Sequence, residues 1–96
     1  SRLVRLLMHH ADYELLRRAA HHIAELLRAK FPSGVMGPVA SALEMLRGQY
    51  RAEILVKVDT GSSMSRAREH IRHVIAEVAK INDIKSVRVD VDVDAL

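Results

Sequence analysis

Arg47-Gly48-Gln49-Tyr50-Arg51-Ala52-Glu53-Ile54-Leu55-Val56-Lys57-Val58-Asp59 decides the fold. Tyr50, Ala52, Ile54, Val56 and Val58 share one side of a period-2 pattern, and Gln49, Arg51, Glu53, Leu55 and Lys57 share the other. Such alternation, rich in β-branched residues, predicts a strand with one buried and one more exposed face. Gly48 opens it and Thr60-Gly61-Ser62-Ser63 closes it with turn chemistry. A strand-helix pair precedes it, and a helix-strand pair follows. It is therefore read as a central strand.

Upstream, Arg2 to His10 alternates Val4, Leu6 and Met8 against Leu3, Arg5, Leu7 and His9, which predicts a first strand with its even-numbered residues inward. Asp12 is a good helix N-cap, and the carboxylate of Glu14 suits the first turn of the helix dipole. Leu15, Leu16, Ala19, Ile23, Leu26 and Leu27 then form an apolar stripe at helical spacing, and Pro32-Ser33-Gly34 stops the helix. Val35 to Val39 is short and apolar, and Pro38 confines it to a strand end or a sheet edge. A short strand followed by an irregular connection to Leu46 is expected there.

Downstream, Ser63 or Ser65 caps a second helix whose core stripe is Met64, Ala67, Ile71, Val74, Ile75 and Val78, ending at Asn82-Asp83. Val87, Val89, Val91 and Val93 alternate with Arg88, Asp90, Asp92 and Asp94 to give a final strand. The order is strand, helix, strand, strand, helix, strand. Two right-handed β-α-β halves of this kind predict an α+β fold of split β-α-β type. It has one antiparallel sheet, both helices on one face, and the first and third strands central.

With 96 residues the chain makes one domain with a single core. Its 49% hydrophobic and 28% charged content are those of a soluble globule. No apolar run approaches the ~20 residues that span a bilayer, so no membrane partner is expected. With no cysteine there is no disulfide framework and no thiolate ligand or nucleophile. The net charge is +3, but Asp90, Asp92 and Asp94 crowd the last strand, leaving the remainder more basic. That balance favours an anionic partner. The only aromatics are Tyr13, Phe31 and Tyr50, too few to grip single strands by base stacking alone.

Motifs for chemistry are missing. There is no phosphate loop, no Gly-x-Gly-x-x-Gly, and no serine, histidine and acid set of recognisable spacing. Gly34 and Gly37 fit turn geometry better than a phosphate cradle. His9-His10, His21-His22 and the pair His70 and His73 invite a metal hypothesis, but nothing completes a ligand set, and a solvated surface is the preferred reading. The three alternating aspartates read as a charged edge that resists edge-to-edge pairing, since a strand spreads carboxylates along a line. Two surfaces carry more information. Basic residues mixed with leucines on the uncovered sheet face make a contact surface, with Arg5, Arg51, Lys57 and Arg88 for phosphates and Leu3, Leu7 and Leu55 for packing. Lone surface leucines are, however, ordinary. At the start of the second helix, Ser63 and Ser65 accompany Arg66, Arg68 and Arg72. Arginine in an opening turn is a small local conflict with the helix dipole, and it sets an anion site against a plain solvated face.

Gly37-Pro38-Val39, Arg47-Gly48-Gln49-Tyr50-Arg51, Ile54-Leu55-Val56-Lys57 and Val91-Asp92-Val93-Asp94 occur in an order and spacing that resemble the C-terminal domain of primosomal protein N′. That family is the bacterial replication-restart DNA helicase PriA. The resemblance covers most of the chain. It departs from the family pattern at Ala52, where the family tends to carry an aromatic, in the Val39–Leu46 segment, which lacks extra prolines, and at Ala95, which replaces a proline. The missing aromatic weakens the case for base stacking by the central strand.

The resemblance implies a non-catalytic domain of a 3′-to-5′ ATP-dependent helicase that acts in replication restart and primosome assembly. The parent's ATP with magnesium and its cysteine-bound zinc would lie upstream. The implied partners are forked or single-stranded DNA, the helicase core of the same chain, and the acidic tail of single-stranded DNA-binding protein, which Arg66, Arg68 and Arg72 would help to hold. A monomer in the bacterial cytoplasm, associated with the nucleoid, is expected. Rival readings are a free-standing RNA-binding domain on the same sheet face and a small-molecule regulatory domain. Steep salt dependence would separate nucleic-acid binding from an apolar ligand site.

Overall fold

The computed structural model describes residues 2–40, 45–81 and 83–93. Its elements are β1 (Arg2–His10), α1 (Tyr13–Lys30), β2 (Val35–Ala40), β3 (Tyr50–Val58), α2 (Met64–Val78) and β4 (Arg88–Val93). The strands form one antiparallel sheet in the order β2-β3-β1-β4, so the first and third strands are central as the pattern requires. Pro38 stands on an edge strand, where its missing N–H costs no ladder bond.

Register follows from the alternation. Val4, Leu6 and Met8 pair with Val56, Ile54 and Ala52, and all six are buried under the helices. From α1 the core receives Leu16, Ala19, Ala20, Ile23, Ala24 and Leu27, and from α2 it receives Ala67, Ile71, Val74 and Val78. Among the described residues, no polar or charged residue lies in this core. Each fully buried Leu, Ile or Met contributes roughly 1.5–3 kcal/mol relative to exposure.

Local chemistry sets the element ends. Asp12 caps α1: its Oδ1 accepts from the backbone N–H of Glu14 at 3.0 Å and of Leu15 at 3.2 Å. His10 braces the same junction, because its Nδ1 accepts from Asp12 N–H at 2.8 Å while Nε2 lies 2.9 Å from the Ser86 hydroxyl. That pair of contacts selects the tautomer with hydrogen on Nε2, which donates to Ser86. Ser63 caps α2 by accepting from Arg66 N–H at 3.3 Å. Between Leu46 and Gln49 the chain reverses in two residues, Arg47 (φ 54) and Gly48 (φ 77), and the two flanking residues exchange backbone hydrogen bonds of 2.9 and 3.0 Å. Paired positive φ angles match the turn to strand twist.

Four expectations need correction. α2 ends at Val78, not at Asn82-Asp83, because successive tight turns at Val78–Ile81 and Ile81–Ile84 swing Ile84 into the core. Asn82 itself lies outside the described residues. The second strand runs on to Ala40, and a bulge between Met36 and Val39 shifts its register against β3. Leu15, Leu26, Met64 and Ile75 only flank the core, while Ala20 and Ala24, outside the expected stripe, complete it beneath α1. Ala52 is 2% exposed on the helix-covered side, so the residue at that position fills the core and says nothing about base stacking. Of the Val39–Leu46 connection, residues 41–44 lie outside the described residues.

Candidate functional site

Both helices cover one side of the sheet, and the strand registers decide which residues meet on the other. The β1–β3 and β1–β4 registers place Met36, Leu55, Arg5 and Asp92 in one cross-strand row, and Val39, Glu53, Leu7 and Asp90 in the next. Arg51, His9 and Arg88 form a third row, and Lys57 pairs with Leu3 beyond the first. The seven sheet residues expected to form the contact surface (Leu3, Arg5, Leu7, Arg51, Leu55, Lys57 and Arg88) therefore do share one face.

Their states differ in ways the sequence pattern hides. Arg5 Nη2 lies 3.4 Å from Asp92 Oδ2, and Arg88 Nε lies 3.5 Å from Asp90 Oδ2, with His9 Nε2 3.6 Å from the same carboxylate oxygen. The aspartates of β4 thus do more than charge an edge: they engage two of the four cations assigned to phosphate. Arg51 and Lys57 have no ion pair among the described residues, and both are exposed. Leu3, Leu7 and Leu55 are only half-buried. The more exposed apolar groups are Met36 at 46% and Val39 at 71%, on the neighbouring edge strand. Sequence reading missed these two because strict alternation puts residues 36 and 39 on opposite faces, and the bulge brings both to the uncovered one.

None of the three rings lies on this face. Tyr13 and Tyr50 meet edge to face at 5.5 Å between α1 and β3, and Phe31 meets His70 at 6.4 Å between the end of α1 and α2. The face therefore offers guanidinium, ammonium, aliphatic and, at His9, imidazole groups, but no Phe, Tyr or Trp ring.

The second surface lies at the start of α2. Ser65, Arg66, Arg68 and Arg72 line one shallow recess with Glu69 and His70, so the three arginines are brought together as expected. Arg72 is drawn to Glu69 at 3.7 Å, and no acid occupies the first turn. Arg66 and His70 also line a larger cleft of ≈ 590 Å³ between the end of α1 and the start of α2, shared with Lys30, Phe31, Gly34, Lys57 and Asp59. Lys30 is a further cation there with no ion pair among the described residues, and Lys57 borders the cleft through the backbone that contacts Gly34. No group of three or more His, Asp or Glu side chains converges on a point among the described residues.

The model of the primosomal protein N C-terminal domain family matches residues 1–95. The chain belongs to this family. Membership supports a primosomal, replication-restart role. No curated protein matches the chain. Solved structures resemble it in fold. A de novo designed protein, Foldit4, superposes with a TM-score of 0.69 at 14% identity, covering 99% of this chain and 97% of that one. A dimeric ferredoxin-like protein from an uncultured marine organism gives a TM-score of 0.54 at 14% identity, covering 100% of this chain and 96% of that one. A designed protein with a ferredoxin fold gives 0.53 at 15% identity, covering 99% and 85%. At such identities the likeness establishes a ferredoxin-like fold and nothing about binding. No helix among the described residues is long and apolar enough to cross a membrane.

Proposed function

We propose that this primosomal domain is a non-catalytic DNA-binding and docking module of a 3′-to-5′ replication-restart helicase. The observation that carries the reading is the uncovered sheet face, where free cations and exposed apolar groups lie side by side. Arg51 and Lys57 supply the phosphate contacts. Arg5 and Arg88 contribute when a phosphate competes with Asp92 and Asp90 for their guanidinium groups. Met36 and Val39 extend the leucine patch toward β2, and this apolar half packs against the helicase core of the same chain. The arginines at the start of α2 offer a second contact, for the acidic tail of single-stranded DNA-binding protein. ATP with magnesium, and zinc, are assigned to the rest of the parent protein, and the domain acts as a monomer in the cytoplasm.

With no Phe, Tyr or Trp on the face, binding is electrostatic and indifferent to sequence. The test is a salt titration of the parent protein on single-stranded DNA. Two lost phosphate contacts, in Arg51→Ala with Lys57→Ala, lower the slope of log affinity against log salt by about 1.4. An unchanged slope and affinity would refute the assignment. Affinity for an apolar small molecule that salt leaves unaltered would favour the regulatory-domain reading instead.

A further inference from the structure

One corner of the uncovered face is concave. The hairpin turn at Leu46–Gln49 rises beside the row Arg51–His9–Arg88, and together they enclose a recess of ≈ 330 Å³ lined by His9, Leu46, Arg47, Gln49, Arg51, Arg88 and Asp90. Three guanidinium groups face a single carboxylate there, so the recess keeps two positive charges in excess even with His9 neutral. Asp90 is already engaged by Arg88 at 3.5 Å and His9 at 3.6 Å, while Arg47 and Arg51 have no ion pair among the described residues. The fixed fork of arginine matches the oxygens of a phosphate, and the Gln49 amide adds a neutral donor.

Arg47 carries a second signal. It stands at φ 54 in a two-residue turn, a position that favours glycine, asparagine or aspartate over a long side chain. A residue unsuited to its backbone conformation that also lines a cationic recess marks that side chain as a candidate for function.

We propose that this recess is a phosphate-binding pocket that seats one phosphate group of a nucleic-acid strand, with Arg47 and Arg51 as its principal ligands. The proposal rests on the DNA-binding reading above and adds to it a fixed anchor point. A strand seated there lies along the sheet from the Arg51 row toward Lys57, and Leu46, exposed at the rim, packs against the adjoining sugar. The excess of two positive charges suits either an internal phosphodiester or a terminal phosphate, whose charge is about −1.5 to −2.

The probes are inorganic phosphate and short single-stranded oligonucleotides bearing a 5′-phosphate or a 5′-hydroxyl, followed by amide chemical shifts of the 96-residue chain. The informative variant is Arg47→Asn, because asparagine suits the turn and folding is retained. Oligonucleotide binding is expected to shift Arg47, Gln49, Arg51 and Arg88. Arg47→Asn is expected to weaken binding about tenfold and to lower the salt slope by about 0.7. Equal shifts from both oligonucleotides identify an internal phosphodiester, and shifts from the 5′-phosphate alone identify a strand end. Both support the pocket. If Lys57→Ala weakens binding and Arg47→Asn does not, the pocket is overturned and the sheet face stands. If inorganic phosphate binds and neither oligonucleotide does, the pocket proposal and the DNA-binding reading fall together.

Discussion

Replacing Gly34 with alanine should destabilise the domain, although Gly34 is in no helix or strand and only half-buried. The turn that carries it leans directly on β3: the Lys57 N–H donates to the Gly34 carbonyl at 2.7 Å. A Cβ at position 34 would lie 2.5 Å from the Lys57 carbonyl oxygen, against 3.4 Å for ordinary contact, so the backbones must part by 3.4 − 2.5 = 0.9 Å. Both are main chain, and neither can swing aside as a flexible side chain would. Parting them weakens a hydrogen bond worth about 1 kcal/mol and displaces packed backbone at a cost of about 1–3 kcal/mol. Alanine's lower unfolded-state entropy returns about 0.4–1 kcal/mol. The net loss is about 2 kcal/mol, or roughly 8–16 °C in Tm for a domain of this size. Urea and thermal unfolding of Gly34→Ala measure it. Gly61→Ala is the control, since a Cβ there meets nothing within 4 Å, and it should be neutral or slightly stabilising. If the two variants unfold alike, close approach of Gly34 to β3 is not what holds this turn. The turn also lines the cleft shared with Lys30, Lys57, Arg66 and His70, so the same variant reports on how firmly that cleft is built.

Asp92→Asn removes the partner of Arg5, and because the pair is solvent-exposed, stability should change by no more than about 1 kcal/mol. DNA affinity of the parent protein should rise, with a steeper salt slope, since a guanidinium is released to phosphate; fluorescence anisotropy across a salt series checks both. Arg66→Glu with Arg68→Glu should weaken binding of the acidic tail peptide to the parent while circular dichroism shows the fold intact. Unchanged peptide affinity returns those arginines to a solvated helix face.

The fold was legible because its signals are one-dimensional. Alternation in Arg2–His10 and Arg47–Asp59 states which side chains share a face, and the side-chain period of 2 leaves little freedom once one face is buried. Asp12 and Ser63 mark helix starts by chemistry that acts within three residues. Where the outcome depended on a local exception, the pattern misled. Val35–Val39 reads only as a short apolar stretch held to a strand end or edge by Pro38, and its composition does not show the bulge that brings Val39 to the same uncovered face as Met36. The end of α2 was set by Ile84, whose burial is a matter of packing and leaves no periodic trace.

The candidate site was legible to the same depth and no further. Periodicity placed Arg5, Arg51, Lys57 and Arg88 on one face, but which of them are free is decided laterally, between strands distant in sequence. Arg5 and Asp92 are 87 residues apart and meet only because β4 pairs with the far side of β1. The same pairing explains how a chain of modest net charge can present a selective cationic surface. Acids on the β4 edge quench Arg5 and Arg88, so free positive charge remains toward β3 and the hairpin turn. Any anion drawn to the sheet is therefore directed to the side that also exposes Met36 and Val39. A strand bound along Arg51 and Lys57 would thus run beside the apolar docking patch, and DNA contact and docking would compete for, or be coupled through, the same two strands. Measuring DNA affinity with Val39→Ser in the parent protein distinguishes these cases: competition predicts tighter binding when docking is loosened, and coupling predicts weaker binding.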